Sequence, residues 1–181
     1  MPTKVKATTR DLYQHRAKAE LINGEIVNFM PTGMLPSRAS MAIAMSLRFH
    51  EKPDQPGRAF SDNTGFIVSL PHRESFSPDA AWYLGNFTGM KFLEGAPMFA
   101  AEVRSENDYG SKAEQDMSNK RRDYFEAGTH VVWDVDLLSN DVVKVYRSTS
   151  PESPAIYRRG DLAEAETAVP NWRMPVDDLF R

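Results

Sequence analysis

The chain has 181 residues, 41% of them hydrophobic and 26% charged, which is typical of a globular protein long enough to bury a core. It has no cysteine, which excludes disulfides, thiolate catalysis and cysteine-ligated zinc. Its formal net charge of −3 gives no overall attraction to nucleic acid, although a local basic surface suffices to bind phosphates. Because we find neither a signal-peptide pattern nor an apolar run of membrane-spanning length, we expect a cytoplasmic protein without a membrane partner.

The N-terminal part predicts a helix, a hairpin and a second helix. Residues 1–8 are expected to be loose, and a short helix follows over Thr9–Lys18, with Thr9 as its N-cap. In segment 20–27, Asn23-Gly24 separates two apolar pairs and tolerates the positive φ of a type I′ turn, which predicts a β-hairpin. Apolar residues at helical spacing then predict a helix over about Ser37–His50.

The remainder is rich in predicted strands. Segment 98–105 is almost continuously apolar and is therefore expected near the centre of a sheet. A helix is expected between Ser111 and Gly128. Because no repeat or linker divides the sequence, we predict one α/β domain over residues 1–181, with a mixed β-sheet flanked by helices and an N-terminal β-hairpin. The predicted strands are residues 65–70, 79–83, 98–105, 130–138 and 142–147.

Lys120 breaks the apolar pattern of the helix predicted after Ser111. Ala113, Met117, Lys120 and Tyr124 recur at steps of four, three and four residues, which places them on one stripe. A lysine directed toward a core is costly unless carboxylates meet it there. Alternatively, Lys120 covers the edge of the core with its stem and keeps its ammonium group in water.

Two acidic residues occupy predicted strands, and a third precedes the hairpin. Asp79 opens a strand after a proline, where a simple turn role is the alternative. Alternation places Glu102 on one face with Ala100 and Arg104, so it either pairs with Arg104 at the surface or offers a carboxylate where a metal ion has room. Glu20 is a candidate accessory ligand, although a glutamate before a hairpin strand is usually just exposed.

An acid on each of two strands and a lysine on the next helix form the minimum apparatus for metal-assisted hydrolysis of a phosphodiester. Mg²⁺ prefers hard oxygen ligands and keeps several waters, so Asp79 and Glu102 would suffice to hold it. The metal would stabilise charge on the phosphate and lower the pKa of a bound water. Lys120 would orient that water, neutralise the transition state, or accept the proton of the water if its own pKa is lowered. Burial lowers the pKa of a lysine and neighbouring carboxylates raise it, and the sequence leaves open which effect is larger.

Several segments together resemble the Uma2 family of restriction-endonuclease-like proteins, a branch of the PD-(D/E)xK nuclease superfamily. No segment is specific alone, but their order and spacing are similar to the family pattern, as is the C-terminal PVDDLF. The segments are AELINGEIV (19–27), SPDAAW (77–82), AEVRS (101–105), KRRDYFEAG (120–128) and VVWDVD (131–136).

The resemblance implies a restriction-endonuclease-like α/β fold, Mg²⁺-dependent hydrolysis of phosphodiester bonds with Mn²⁺ as a substitute, a DNA substrate and usually a homodimer. It implies that Asp79 and Glu102 are metal ligands and that Lys120 is the catalytic lysine, transferred to the helix. It also implies that Glu20 is an additional acid of the site.

The sequence departs from the family pattern at two positions. A direct (D/E)xK motif requires a lysine where Arg104 stands, and an arginine cannot act as a general base, although it can hold a phosphate. Family members often carry a histidine at the start of the early helix, where Arg38 is the nearest residue here.

Other groups of residues carry weaker indications. The four histidines are scattered without metal-ligand spacing and are expected to be structural or exposed. Asp134 and Asp136 alternate in a strand and are interpreted as a solvated face. Basic residues near Lys120 and near the N terminus, Lys18 among them, are candidate phosphate contacts.

Three functions remain open at this level. The first is a metal-dependent endonuclease, and the second is a catalytically silent nuclease-fold dimer that acts as a nucleic-acid or protein interaction module. The third is hydrolysis by paired carboxylates, as in glycosidases, against which a lysine between the acids argues. The nuclease hypothesis requires the Lys120 amine near the acids, whereas the silent module tolerates it in bulk solvent.

Overall fold

The computed structural model describes residues 5–181, and residues 1–4 lie outside the described part. The helices are α1 (Thr9–Gln14), α2 (Met34–His50) and α3 (Ser111–Glu126), with a 3-10 helix at Val176–Phe180. The strands are β1 (Ala19–Ile22), β2 (Glu25–Asn28), β3 (Arg58–Ser61), β4 (Phe66–Leu70), β5 (Arg73–Phe76), β6 (Ala80–Tyr83), β7 (Leu93–Glu94), β8 (Phe99–Val103), β9 (Val131–Val135), β10 (Val143–Arg147), β11 (Ser150–Tyr157), β12 (Leu162–Glu164) and β13 (Arg173–Pro175).

The strands form two larger sheets and one small sheet. The six-stranded sheet has the order β11-β10-β9-β8-β6-β3, the five-stranded sheet has the order β2-β1-β5-β4-β7, and β12 pairs with β13. The pairs β8–β9 and β4–β7 are parallel, and the other pairs are antiparallel. The predicted fold class, mixed sheets flanked by helices with an N-terminal hairpin, is confirmed, and β8 lies inside a sheet as its apolar sequence predicts.

Strand β8 shows why the six-stranded sheet is buried on both faces. Phe99, Ala101 and Val103 point into one core, which α2 and the C-terminal segment cover with residues such as Trp172. Ala100 points into a second core, which lies against the five-stranded sheet and contains Tyr124 of α3. Both cores share this sheet, and we retain one domain over residues 1–181 as a prediction.

The N-terminal elements agree with the prediction in type and differ at their ends. The hairpin turn has φ 52° at Asn23 and 72° at Gly24, as a type I′ turn requires. Helix α1 is capped at Thr8 rather than Thr9, because the Asp11 carboxylate accepts the Thr8 backbone N–H, and it ends at Gln14. Ala7 N–H donates to the Gly24 carbonyl, and the part of the 1–8 prediction that concerns residues 1–4 lies outside the described residues.

Candidate active site

The ammonium group of Lys120 lies between two acids. Its Nζ is 2.8 Å from Glu102 Oε1 and 2.9 Å from Glu20 Oε1, and its side chain is only 14% exposed. The rings of Phe29 and Tyr124 flank the charge, with centroids 5.4 and 5.9 Å from Nζ. The alternative that Lys120 keeps its ammonium group in bulk water is therefore wrong, and α3 delivers the lysine to the sheet.

Glu20 is fully buried in β1, which contradicts the simple expectation of an exposed residue. Its Oε2 accepts a hydrogen bond from Arg73 Nη1 at 2.6 Å, and its Oε1 accepts one from the Ser77 backbone N–H at 2.9 Å. Together with Lys120, these contacts occupy both oxygens of the carboxylate. Glu20 thus holds the lysine in place and has little remaining capacity to bind a metal.

Glu102 presents one occupied and one open oxygen. Its Oε1 accepts a 2.6 Å hydrogen bond from the Tyr124 hydroxyl besides the contact with Lys120. Burial, reinforced by the charge of Glu102, raises the pKa of Tyr124 well above its ordinary value, so the phenol stays protonated and donates. Among residues 5–181, no hydrogen bond or ion pair engages Oε2, so this oxygen is available to a cation.

Asp79 lies directly before β6 and is held from two sides. Its Oδ2 accepts the Val103 backbone N–H at 2.8 Å, which ties it to the end of β8 next to Glu102. Its Oδ1 is 3.1 Å from Lys18 Nζ, and Lys18 also pairs with Asp62. Lys18 is therefore a partner of the acidic cluster, which differs from its predicted role as a surface phosphate contact.

The ionisation of the acids separates Glu20 from the other two. Burial alone would raise the pKa of Glu20, but the charges of Lys120 and Arg73 outweigh it and the pKa lies below its ordinary value. Burial raises the pKa of Asp79, and Lys18 offsets this only in part. Burial also raises the pKa of Glu102 to about 7, since Asp79 and Glu20 oppose the effect of Lys120. The positive charge around Asp79 and Glu102 is thus too small to offset the effect of burial on their pKa values.

The same cluster decides the charge of Lys120. Burial would lower the pKa of this lysine, but the carboxylates of Glu102 and Glu20 raise it above its ordinary value. Lys120 is therefore a cation at neutral pH, which answers the question that the sequence left open. It can donate hydrogen bonds and stabilise negative charge, but it is not poised to take a proton from water.

The chemistry of this donor set suits a divalent metal. Asp79 and Glu102 offer hard oxygen atoms, and the raised pKa of each shows that additional positive charge would favour its ionised form. Glu20 already contacts Lys120 and Arg73, so a metal ion would gain less from its charge than from that of the other two acids. The lysine between two of the acids argues against a glycosidase-type pair, which needs its carboxyl groups free on either side of a sugar.

Arg104 takes no part in this cluster. Its side chain is 3% exposed and donates to both oxygens of Asp134, from Nε at 2.7 Å and from Nη2 at 2.8 Å, and it also pairs with Glu114. A surface pair with Glu102 is therefore wrong, as is a free guanidinium for phosphate. Asp134 is buried, so its interpretation as part of a solvated face is wrong, whereas Asp136 accepts the Tyr109 hydroxyl at 2.8 Å.

Arg38 has a contact of its own at the C terminus. Its Nε donates to the carbonyl oxygen of Arg181 at 2.7 Å, which links α2 to the last residue of the chain. Arg38, the residue nearest to the position where family members often carry a histidine, thus makes a structural contact here.

The sequence did not reveal the residues that support the cluster. Arg73 follows a turn and gives no pattern of burial, yet it is 5% exposed and binds Glu20. Tyr124 was expected on the apolar stripe of α3, but nothing in the sequence indicated that its hydroxyl donates to Glu102. A tyrosine one turn after the lysine could have indicated this contact, because a buried tyrosine hydroxyl usually finds a hydrogen-bond partner.

Comparison with solved structures finds a similar fold in another protein. A crystal structure described as "a putative nuclease belonging to DUF820" from Anabaena variabilis matches with a TM-score of 0.72, covering 96% of this chain and 97% of that chain. The two sequences are 20% identical, so this similarity establishes the restriction-endonuclease-like fold.

The family model Uma2, described as "Putative restriction endonuclease", matches residues 8–177. The chain therefore belongs to the Uma2 family, as the sequence segments predicted. No curated protein matches the sequence significantly. Within residues 5–181, no helix combines the length and the apolar character needed to cross a membrane.

Proposed function

We propose that this member of the Uma2 family is a Mg²⁺-dependent endonuclease that hydrolyses phosphodiester bonds of DNA. The observation that carries the proposal is the position of the Lys120 ammonium group between Glu20 and Glu102, while Asp79 is tied by the Val103 backbone N–H to the end of the strand that carries Glu102. Buried lysines are costly, and two acids in contact with one buried lysine indicate a functional site rather than a solvated surface. DNA as substrate and the cytoplasm as location remain predictions.

Asp79 and Glu102 would hold the metal in this proposal. Bound Mg²⁺ or Mn²⁺ would stabilise negative charge on the phosphate and lower the pKa of a coordinated water. The open Oε2 of Glu102 supports this assignment, as does the burial of both acids, which raises the pKa of each and which a bound cation would offset. Tyr124 keeps the other Glu102 oxygen in place, and Lys18 does the same for Asp79.

Lys120 would act as a positioned cation. Its ammonium protons are directed by Glu20 and Glu102, and the phosphate oxygens gain negative charge as water attacks phosphorus and the P–O bond to the leaving oxygen breaks. Preorganised charge of this kind lowers the barrier without a proton transfer to the lysine. Glu20 and Arg73 would be positioning residues, because they fix Lys120 without reaching the substrate in this arrangement.

Nicking of supercoiled plasmid with Mg²⁺ or Mn²⁺ tests the proposal. Lys120→Met, Asp79→Asn and Glu102→Gln should each lose at least about 100-fold in rate, a loss typical of removing one electrostatic contact to a transition state. Lys112→Met is the matched control, because Lys112 lies on the same helix with a side chain that is 90% exposed. Circular dichroism should verify that each variant is folded, since Lys120→Met removes the cation shared by Glu20 and Glu102.

The outcomes separate the proposed enzyme from its alternative. Equal nicking by the wild type and all site variants would identify a contaminating nuclease and overturn the assignment of these residues. Absence of nicking by folded, metal-loaded wild type would instead favour the catalytically silent nuclease-fold dimer, which would bind nucleic acid or protein without cutting.

We extend the proposal to a homodimer, and a stripe of exposed apolar residues on α2 supports it. Met34, Met41, Met45 and Phe49 recur at steps of seven, four and four residues, which places them on one side of the helix. Phe49 is 82% and Met34 71% exposed, although the opposite side of α2 is buried in the core. A second copy of the chain would cover this stripe.

A further inference from the structure

A second group of ligand-type side chains lies one helical turn beyond Lys120. His72 occupies the turn between β4 and β5, and Asp123 and Glu126 lie three residues apart on α3. One ligand atom from each of the three residues lies within 4.8 Å of the other two. His72 has no metal-ligand spacing in the sequence, and its two carboxylate neighbours come from a distant helix.

We propose that His72, Asp123 and Glu126 form a binding site for a divalent transition-metal ion such as Zn²⁺. This site is separate from the acids that surround Lys120, and it does not require that the chain cut DNA. A metal here would join the β4–β5 turn to the C-terminal end of α3.

The first two ligand atoms lie close to the spacing that one ion requires. His72 Nε2 and Asp123 Oδ1 are 2.9 Å apart. Ligands bound at about 2.1 Å from one ion in a tetrahedral arrangement lie roughly 3.4 Å from each other, so the two atoms would move apart by about half an ångström to admit the ion. The His72 side chain is 45% exposed, and Glu126 is exposed at the last residue of α3, so both can rotate to close the remaining gap.

Asp123 is a buried and oriented ligand rather than one of several mobile surface acids. It is 4% exposed, and its Oδ2 accepts a hydrogen bond from Arg73 Nε at 2.8 Å. The His72 turn is fixed as well, because the Asn23 backbone N–H donates to the His72 carbonyl oxygen at 3.0 Å. Such outer contacts orient metal ligands and typically contribute strongly to affinity.

The ligand types select the class of metal. An imidazole with two carboxylates suits Zn²⁺ and related transition metals, whereas Mg²⁺ prefers oxygen ligands alone. Three protein ligands leave one position for water in a tetrahedral arrangement. Arg73 balances one of the two carboxylate charges, and the remaining negative charge favours a cation.

Calorimetric titration with Zn²⁺ tests the proposal in protein that has been stripped of metal with a chelator. The background variant carries Asp79→Asn and Glu102→Gln, which removes the acids of the other site. In this background we expect one Zn²⁺ per chain, and at least about 10-fold weaker binding after His72→Ala or Glu126→Gln, since outer contacts alone contribute that much. His15→Ala is the matched control, because the His15 ring contacts Asn28 instead.

Either of two results would overturn the site. Zn²⁺ that fails to bind the background variant would show that His72 and Asp123 form only a hydrogen bond, and equal binding after His72→Ala would place the ion elsewhere. Both substituted side chains are at least partly exposed, so the variants should stay folded, which the circular dichroism spectrum checks. Plasmid nicking is measured separately, so failure of one proposal leaves the other to be judged by its own assay.

Discussion

The guanidinium of Arg73 binds Glu20 through Nη1 at 2.6 Å, and both side chains are almost completely buried. The same guanidinium holds Asp123 through Nε at 2.8 Å. Because Glu20 in turn contacts Lys120, one arginine fixes the lysine of the candidate active site and the aspartate of the second proposed metal site. The two clusters are therefore linked through a single buried side chain.

Replacement of this arginine should destabilise the protein strongly. Arg73→Met leaves the buried acids Glu20 and Asp123 without their shared partner, and breaking a buried ion pair typically costs about 3–5 kcal/mol. Urea denaturation measures the change in the free energy of unfolding. Lys112→Met removes an exposed pair with Asp116 and should change that free energy by less than about 1 kcal/mol, and equal losses in both variants would contradict the proposed role of Arg73.

Arg104→Lys distinguishes a structural from a catalytic role at the position where a direct motif would place the lysine. A lysine cannot reproduce the two parallel contacts with Asp134, so we expect a loss of about 1–3 kcal/mol in stability. Nicking per folded molecule should stay unchanged, because Lys120 already supplies the cation. A variant that nicks faster, or loses activity at full stability, would show that position 104 belongs to the catalytic cluster.

Divalent-metal binding should weaken as the pH falls. The pKa of Glu102 is raised by burial to about 7, so below pH 7 a proton competes with the metal for this carboxylate. Mn²⁺ affinity should fall between pH 8 and pH 6, approaching about 10-fold per pH unit at the acidic end for one competing proton.

Calorimetry in a His72→Ala background measures this affinity without the second proposed site. Glu102→Gln should bind Mn²⁺ more weakly and with a flatter pH profile. The stability of the metal-free protein should change in the opposite direction and fall as the pH rises. Because the pKa of Glu102 is raised, its contribution to the free energy of unfolding is complete below its ordinary pKa of 4.5 and is lost as the pH rises through about 7. Equal Mn²⁺ affinity at pH 6 and pH 8 would exclude Glu102 as a ligand.

Charge introduced on the exposed side of α2 should separate the proposed dimer. Met45→Glu combined with Phe49→Glu places two acids in an apolar interface, whereas both positions are exposed in the single chain and tolerate charge. Light scattering after size exclusion should give the mass of a dimer for the wild type and of a monomer for the variant. A wild type that is monomeric at micromolar concentration would contradict the dimer.

Much of the fold could be predicted because local patterns and tertiary structure agree. Asn23-Gly24 between apolar pairs predicted the hairpin, and the apolar run around Ala101 predicted an inner strand. Strands β3, β5, β7, β11, β12 and β13 were missed, and in β5 the short segment RESF carries a charged residue at a buried position. Arg73 in β5 is buried only because Glu20 and Asp123 come from distant parts of the chain to meet it.

The sequence predicted that Lys120 meets acids, but it could not predict the charges of the cluster or the residues that support it. A lysine on an apolar helical stripe indicated that Lys120 is turned toward the sheet, and the structure places Glu20 and Glu102 against it. The protonation of Lys120 depends on the balance between its burial and the charges of two acids. This balance depends on the distances from its ammonium group to the two carboxylates, which the sequence does not give. The alternation that grouped Asp134 with Asp136 could not reveal the burial of Asp134, because Arg104 meets it from a neighbouring strand end.

Helix α3 buries only Asp123 and Tyr124 among its 16 residues, so few apolar contacts hold it to the sheet. Polar contacts therefore contribute much of the binding between the helix and the sheet. Asp123 contacts Arg73, Lys120 contacts Glu20, and the Tyr124 hydroxyl donates to Glu102. The docking of α3 and the ionic state of the cluster are consequently coupled. A change of charge in the cluster also changes the free energy with which the helix packs on the sheet.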